Sequence, residues 1–570
     1  MKTSGSRRKM MKILSLMVMV MVVRCEESPT VRTESGWVSG EVEQIPSGRN
    51  IYSYRGIPYA QPPVGRLRFK PPTAKVGWDG VRPTTRDTPI CQQVDFFNLL
   101  NDVQGSEDCL YLDVFTPYGS MDEGSQKLPV LVYIHGGAFI FGDKNLYGPT
   151  RFLEHDVLVV PIQYRLGVLG FLSTDDDVVP GNFGLLDQAE ALRWVQRNIQ
   201  QFGGDPDRVT IFGHSAGGAS THYQLLSPLT KGLFSGAILH SGSGLDPWSG
   251  GGSFREVAEK VGRDMGCPDL THSDALLACL QKVPSKPLTA SIKQFMQLGM
   301  DPVKLAPRAD GVFLPDEPAV LVKEGRYQHH IPIIAGYVTH EGCWTTSVVY
   351  NNETTLKKLN DDPKIQLASL ELDEKDVGPS DIAARIFKHY MGGPYFGKEH
   401  VEEVTQMYGD RLFIYPLEMV SSHYAQKGPI YTYEVTHVAE HSLTTMFAGM
   451  KLPYKWVCHA DDLLYIFPGE GVFKPFIFTS PEDLRLADIM VQLIVNYATV
   501  RNPTPDDSLG FIWTPQTPAN PKYLDLKLNP SMAPNKRRKV VDFWQSLPLR
   551  ENLVLAPEKV VYEDGSKDEL

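Results

Sequence analysis

The pentapeptide Gly213-His214-Ser215-Ala216-Gly217 constrains this chain more than any other feature, because of what flanks it. Before it, Arg208-Val209-Thr210-Ile211-Phe212 is a β-branched and apolar run that reads as a buried strand. After it, Ala219 to Leu226 reads as a helix stopped by Pro228. A strand that turns into a helix within so few residues needs glycine, or almost no side chain, beside the turn. Such a turn lifts the serine hydroxyl out of the sheet with a helix N-terminus behind it. Ser215 is therefore a candidate nucleophile.

A serine needs a base to take its proton and donors to stabilise the oxyanion it creates. Val130 to Ile134 is a continuous apolar strand that runs into His135-Gly136-Gly137-Ala138-Phe139. With no Cβ in the way, the N–H groups of Gly136 and Gly137 can face a substrate and form, with that of Ala216, a three-donor oxyanion hole. Fifteen histidines compete for the role of base. His459 stands out, on a late loop after the strand-like Ile430 to Val435, but His441 and His437 are nearly as well spaced. For the acid, Glu341 lies just past the strand-like Ile331 to Gly336, and Asp310 competes on the same grounds. Beyond a strand's C-terminal end is where an α/β sheet places catalytic groups.

Further motifs extend this order along the chain. Tyr54-Arg55-Gly56-Ile57-Pro58-Tyr59-Ala60 comes first, then Glu107-Asp108-Cys109-Leu110-Tyr111-Leu112-Asp113-Val114. Gly181-Asn182-Phe183-Gly184-Leu185 and Phe202-Gly203-Gly204-Asp205-Pro206 precede the pentapeptide, and Gly336 to Gly342 and His459-Ala460-Asp461-Asp462-Leu463 follow it. In these residues the chain resembles the type-B carboxylesterases, arthropod carboxylesterases among them, in the cholinesterase-like branch of the α/β-hydrolases. The resemblance implies an α/β-hydrolase fold, with a large, mostly parallel sheet flanked by helices and helical insertions over the active site. It implies a catalytic triad of Ser215, Glu341 and His459, an oxyanion hole of Gly136, Gly137 and Ala216, and no metal or organic cofactor. Adhesion proteins of this fold that have lost the triad are the contrasting class, and all three residues are present here.

Departures from the family pattern bear on the substrate. Cholinesterases carry glutamate before the nucleophile, where this chain has His214, expected to pack rather than to act as a second base. Their choline-site tryptophan lies in the first disulfide loop, which here holds Phe96 and Phe97 and no tryptophan. A cation needs an aromatic face or a carboxylate. A neutral or apolar small-molecule ester is the expected substrate, with Trp248 in the acyl pocket.

Residues 1–25 contain six basic and no acidic side chains, with an apolar run from Ile13 to Val23 that is too short to span a bilayer. This reads as a signal peptide, with no transmembrane segment in the mature chain. The last four residues, Lys567-Asp568-Glu569-Leu570, match the tetrapeptide bound by the retrieval receptor of the endoplasmic reticulum. A soluble protein of the ER lumen is expected. The resemblance pairs Cys91 with Cys109 and Cys267 with Cys279; with Cys25 removed in the signal, Cys343 and Cys458 are left, and buried free thiols are expected there. Asn352-Glu353-Thr354 is a glycosylation sequon. Residues 26–555 read as one domain and 556–570 as a tail, with the charged stretch Asn360 to Lys398 expected to roof the pocket. The formal charge of −11 becomes about −17 without the signal, which disfavours nucleic acid as a partner.

Overall fold

In the computed structural model, residues 28–95, 102–119, 126–299, 301–444, 455–467 and 473–562 are described. The expected signal peptide (residues 1–25), Phe96, Phe97 and the C-terminal tetrapeptide lie outside them. Eleven strands form one sheet: β1 (Glu41–Gln44), β2 (Asn50–Pro58), β3 (Tyr111–Thr116), β4 (Leu128–Ile134), β5 (Leu158–Ile162), β6 (Gly204–His214), β7 (Gly236–His240), β8 (Ile333–Val338), β9 (Ile430–Val435), β10 (Lys522–Leu526) and β11 (Ser531–Pro534). Their order is β11-β10-β9-β8-β7-β6-β4-β5-β3-β2-β1. The seven strands from β10 to β5 are parallel, and antiparallel strands close both edges.

Both faces of the central strands are buried, as their unbroken apolar runs require. Val130, Val132 and Ile134 of β4 join one core, with α1 (Phe183–Asn198) and α2 (Ala216–Leu226). Leu131 and Tyr133 face the opposite core, and Phe212 of β6 joins them there. The other elements used below are α3 (Cys343–Tyr350), α4 (Val401–Gly409), α5 (Tyr415–Tyr424) and α6 (Pro481–Val500); α6 packs on the second core. Ser480 caps α6, its side chain accepting from Asp483 N, with Pro481 at the first helical position. Among the described residues no helix is long and apolar enough to cross a membrane.

The topology chooses the place of the site. From β4 the chain moves outward to β5, then returns to lay β6 on the other side of β4. The connections after β4 and β6 thus leave in opposite directions and open a crevice at the strands' C-terminal ends. Into it project the Gly136-Gly137 loop and Ser215.

The helix after the pentapeptide begins at Ala216, three residues before its expected start. Gly217 and Gly218 are poor helix formers, but tertiary packing overrides propensity here. A Cβ on Gly217 would meet Ile134 O at 2.0 Å, and one on Gly218 would meet His240 O at 2.9 Å.

Candidate active site

Ser215 sits at φ 59°, ψ −123°, a conformation that non-glycine residues rarely adopt. Its surroundings over-determine it. Ser215 N donates to His240 O at 2.9 Å, and Ser215 O accepts from Ala219 N at 2.9 Å. A Cβ on Gly213 would lie 2.4 Å from Gly217, and one on Gly242 would lie 2.1 Å from Ser215 O. Backbone is packed on backbone throughout the turn.

The loop after β4 is just as tight. Gly137, Ala138, Phe139 and Gly142 all have positive φ. A Cβ on Gly136 would come within 2.5 Å of His214 O, so this loop and the serine turn touch directly. Two side chains brace the loop. His135 stacks on Tyr164 with centroids 4.4 Å apart, and burial pulls its pKa down to about 4, so the ring is neutral at pH 7. Gln93 donates from Nε2 to Gly142 O at 2.9 Å and accepts from Gly142 N at 2.8 Å. Gln93 stands two residues from Cys91, which is joined to Cys109. Nothing in the local sequence marked Gln93 for this part.

His459 Nδ1 lies 2.5 Å from Glu341 Oε2. The other Glu341 oxygen accepts from Ser241 Oγ at 2.6 Å and from Val338 N at 2.9 Å. The carboxylate is fully buried and its three donors fix its plane. Ser241 follows β7, and only the fold brings it to Glu341. The two loops are tied again nearby, where His340 N donates to Val457 O at 3.0 Å. Asp461 holds the histidine's loop from inside, accepting from Cys458 N at 2.7 Å and Leu443 N at 2.6 Å.

Cys343 and Cys458 form a disulfide, so the expectation of two free thiols fails. They are 115 residues apart in sequence, and their pairing follows from the meeting of the Glu341 and His459 loops. The structure also joins Cys267 to Cys279.

Behind the histidine, His214 and His459 lie with ring centroids 4.5 Å apart. Asp462 Oδ1 is 3.8 Å from His214 Nε2, and Asp462 Oδ2 is 3.5 Å from His240 Nδ1. Burial holds the His214 pKa well below the usual imidazole range, with His459 adding to the effect, so His214 is a neutral packing ring at pH 7. The competing candidates are elsewhere. His437 Nε2 pairs with Asp483 at 2.6 Å, His441 stacks beside Phe478, and Asp310 closes a turn by accepting from Val312 N and Leu314 N.

Ser215, His459, Gly136 and Gly137 line one cavity of about 920 Å³, counting its open mouth. Ala216 is buried directly behind Ser215, as the first residue of α2. Trp248 is on the wall, its Nε1 donating to Leu412 O at 2.7 Å. Leu412 and Phe413 belong to a π-helical turn, Asp410–Ile414, between α4 and α5. Such turns recur at functional sites, and this one sets the Phe413 ring 4.4 Å from that of His459. The stretch Asn360 to Lys398 does form helices, but none of its residues lines the cavity. The Asp301 and Thr345 segments and the π turn form that wall instead. Exposed Asn352 caps the helix Glu353–Asp361, accepting from Thr354 N and Thr355 N. Among the described residues, no group of acids, histidines and cysteines is arranged to hold a metal.

The model of a family described as the carboxylesterase family matches residues 27–544. Similar curated proteins include venom carboxylesterase-6 of Apis mellifera, 34% identical over 92% of this chain and 96% of the relative. Juvenile hormone esterase of Tribolium castaneum is 35% identical over 85% of each chain. Acylcarnitine hydrolase of Mus musculus is 34% identical over 92% of each.

Proposed function

The chain belongs to the carboxylesterase family and is a carboxylic ester hydrolase; on that premise we propose that it cleaves esters of neutral or apolar substrates through an acyl-enzyme on Ser215. The observation that carries the reading is the buried His459–Glu341 pair opening on the same cavity as Ser215 and the Gly136-Gly137 loop. His459 Nε2 takes the Ser215 proton as Oγ attacks the ester carbonyl. Glu341 accepts from His459 Nδ1, keeps the useful tautomer and stabilises the imidazolium. The carbonyl oxygen, now an oxyanion, is met by the N–H groups of Gly136, Gly137 and Ala216. The C–O bond breaks, the alcohol leaves with the proton from His459, and the acyl group stays on Ser215. Water, deprotonated by His459, then releases the acid and restores the serine.

The apolar wall of Trp248, Leu412 and Phe413 supports the substrate class. Assays of wild type and Ser215→Ala on p-nitrophenyl esters of increasing acyl length, with acetylthiocholine alongside, test it. Turnover at least 10⁴-fold lower in the variant, with little thiocholine release by wild type, is expected. A wild type as inactive as the variant overturns the reading.

Three disulfides support folding in an oxidising compartment. Together with the N-terminal apolar run and Lys567-Asp568-Glu569-Leu570, they support residence in the ER lumen. Removal of that tetrapeptide then sends the esterase into the medium of expressing cells. A glycan on Asn352, removable by an endoglycosidase, belongs to the same reading.

A further inference from the structure

One carboxyl on the cavity wall has no part in the chemistry above. Asp301 lines the cavity with Val303, Trp248, Trp344, Leu412 and Phe413. Among the described residues on that wall it is the one acid, and no lysine or arginine accompanies it. Its position is built rather than incidental. Asp301 N donates to Leu298 O at 3.1 Å, and Asp301 O accepts from Leu298 N at 3.0 Å and Gln297 N at 2.9 Å, a tight backbone reversal. Val303, two residues on, donates from N to buried Glu371 Oε1 at 2.9 Å. Glu371 itself holds a left-handed backbone, φ 53°, to reach that place. Thr345 shares the cavity wall with Asp301. Thr345 follows Cys343 by two residues on α3, and the disulfide joins Cys343 to the loop of His459.

An acid on an apolar wall costs desolvation that leucine or asparagine would avoid. Burial pushes the Asp301 carboxyl up to about 7, and it pushes that of Glu371 behind it up to about 8, with the Asp301 charge adding to the effect. Two such neighbours resist carrying two full negative charges, which makes Asp301 a poor counter-ion for a fixed cation, while its carboxyl oxygens still accept from a neutral donor. A carboxyl has acceptor sites for more than one donor.

We propose that Asp301 is a specificity-determining residue, whose carboxyl accepts a hydrogen bond from a hydroxyl or amide N–H on an otherwise apolar chain of the ester. This rests on the reading of the same cavity as an ester site. It adds to that reading a polar point that the substrate must match.

Matched esters test it. One series carries the group on the acyl chain (p-nitrophenyl alkanoates with hydrogen, hydroxyl or methoxy at the chain end, four to ten carbons long). A second carries the same three groups on the alcohol. The quantity read is the ratio of kcat/KM between hydroxylated and plain ester at equal length. In wild type it reaches about tenfold at one length in one series, since a site built to bind a hydroxyl rejects the analogue without it. At a pH well above 7, where the ionised carboxyl can only accept, the methoxy ester, which cannot donate, shows no such gain. Asp301→Ala brings the ratio to about one, and Asp301→Asn, which keeps an acceptor oxygen, retains most of it.

A ratio near one in both series for wild type overturns the proposal, as does a methoxy gain equal to the hydroxyl gain. A ratio unchanged in Asp301→Ala does so too. A trimethylammonium ester preferred over its hydroxyl counterpart assigns Asp301 to charge pairing instead. If Asp301→Ala does not fold, the hydroxyl-against-methoxy comparison in wild type still decides. Failure of the esterase reading looks different, because wild type then turns over no member of either series.

Discussion

On one side of the cavity, Ser215, Gly136 and Gly137 are placed by backbone packed against backbone, with a Cβ on Gly217 only 2.0 Å from Ile134 O. On the other side, Glu341 and His459 stand 118 residues apart and meet through side chains, cross-loop hydrogen bonds and the Cys343–Cys458 disulfide. The first side arises within two strand-to-turn segments at the point where strand order reverses. The second is assembled after the sheet has brought distant loops together. Close backbone packing leaves no slack for an added methyl group, whereas a side-chain junction with several ties loses them one at a time.

The largest expected effect is at that junction. Glu341→Gln preserves the shape, so bonds from Ser241 Oγ and Val338 N still form, but the charge facing the imidazolium is gone. Turnover is expected to fall about 10⁴-fold, measured as kcat on a p-nitrophenyl ester with folding checked by circular dichroism. A loss under tenfold breaks the assignment of Glu341 as the acid.

Removing the tie beside it acts on stability first. Replacing Cys343 and Cys458 together by serine opens a 115-residue loop, worth about 4–5 kcal/mol in chain entropy. The Cys267–Cys279 pair closes 12 residues, worth about 3 kcal/mol, and neither cysteine lines the cavity. Urea midpoints should fall for both double variants, and turnover only for the first. Equal turnover in both would falsify the view that the long-range disulfide positions the histidine's loop.

On the nucleophile side, Gly217→Ala tests the claim that backbone there has no slack. The methyl group pushes either Ser215 or the strand end bearing Ile134, and turnover is expected to drop about 10²–10³-fold through displacement of the proposed oxyanion hole. An active variant with an unshifted melting temperature shows that the turn can relax.

The smallest effect lies on the helix behind the nucleophile. His222 of α2 is fully buried, accepts from Gly244 N at 2.9 Å, and is held by burial at a pKa of about 3. The unfolded side chain titrates near 6.5 and so binds one more proton than the folded one between those values. Its contribution is therefore complete above about pH 6.5 and declines as pH falls, by about 2 kcal/mol at pH 5. His222→Gln keeps the acceptor and removes the titration. Its urea midpoint should change less between pH 7.5 and pH 5 than that of wild type. An identical change in both sets this brace aside.

The apolar runs of β4, β6 and β9, the glycine spacing at 213–217 and the Gly-Gly after Ile134 were legible because each rule acts within a few residues. Periodicity states which faces are buried, and glycine states where a backbone has no room. Those local rules determined which segments are buried strands and where a tight turn presents Ser215. They left His437, His441 and His459 nearly equal as the base, and Asp310 equal to Glu341 as the acid. Family resemblance chose among them.

Only the tertiary structure paired Cys343 with Cys458, brought Ser241 to Glu341 and Gln93 to Gly142, and made the π turn at 410–414 a wall of the cavity in place of the helices of 360–398. It alone set Asp301 on that wall. Each of these is a contact between segments far apart in the chain, and its energy exists only once the sheet has closed the loops between them. No short window of sequence carries that energy, because the partner that supplies it lies outside the window.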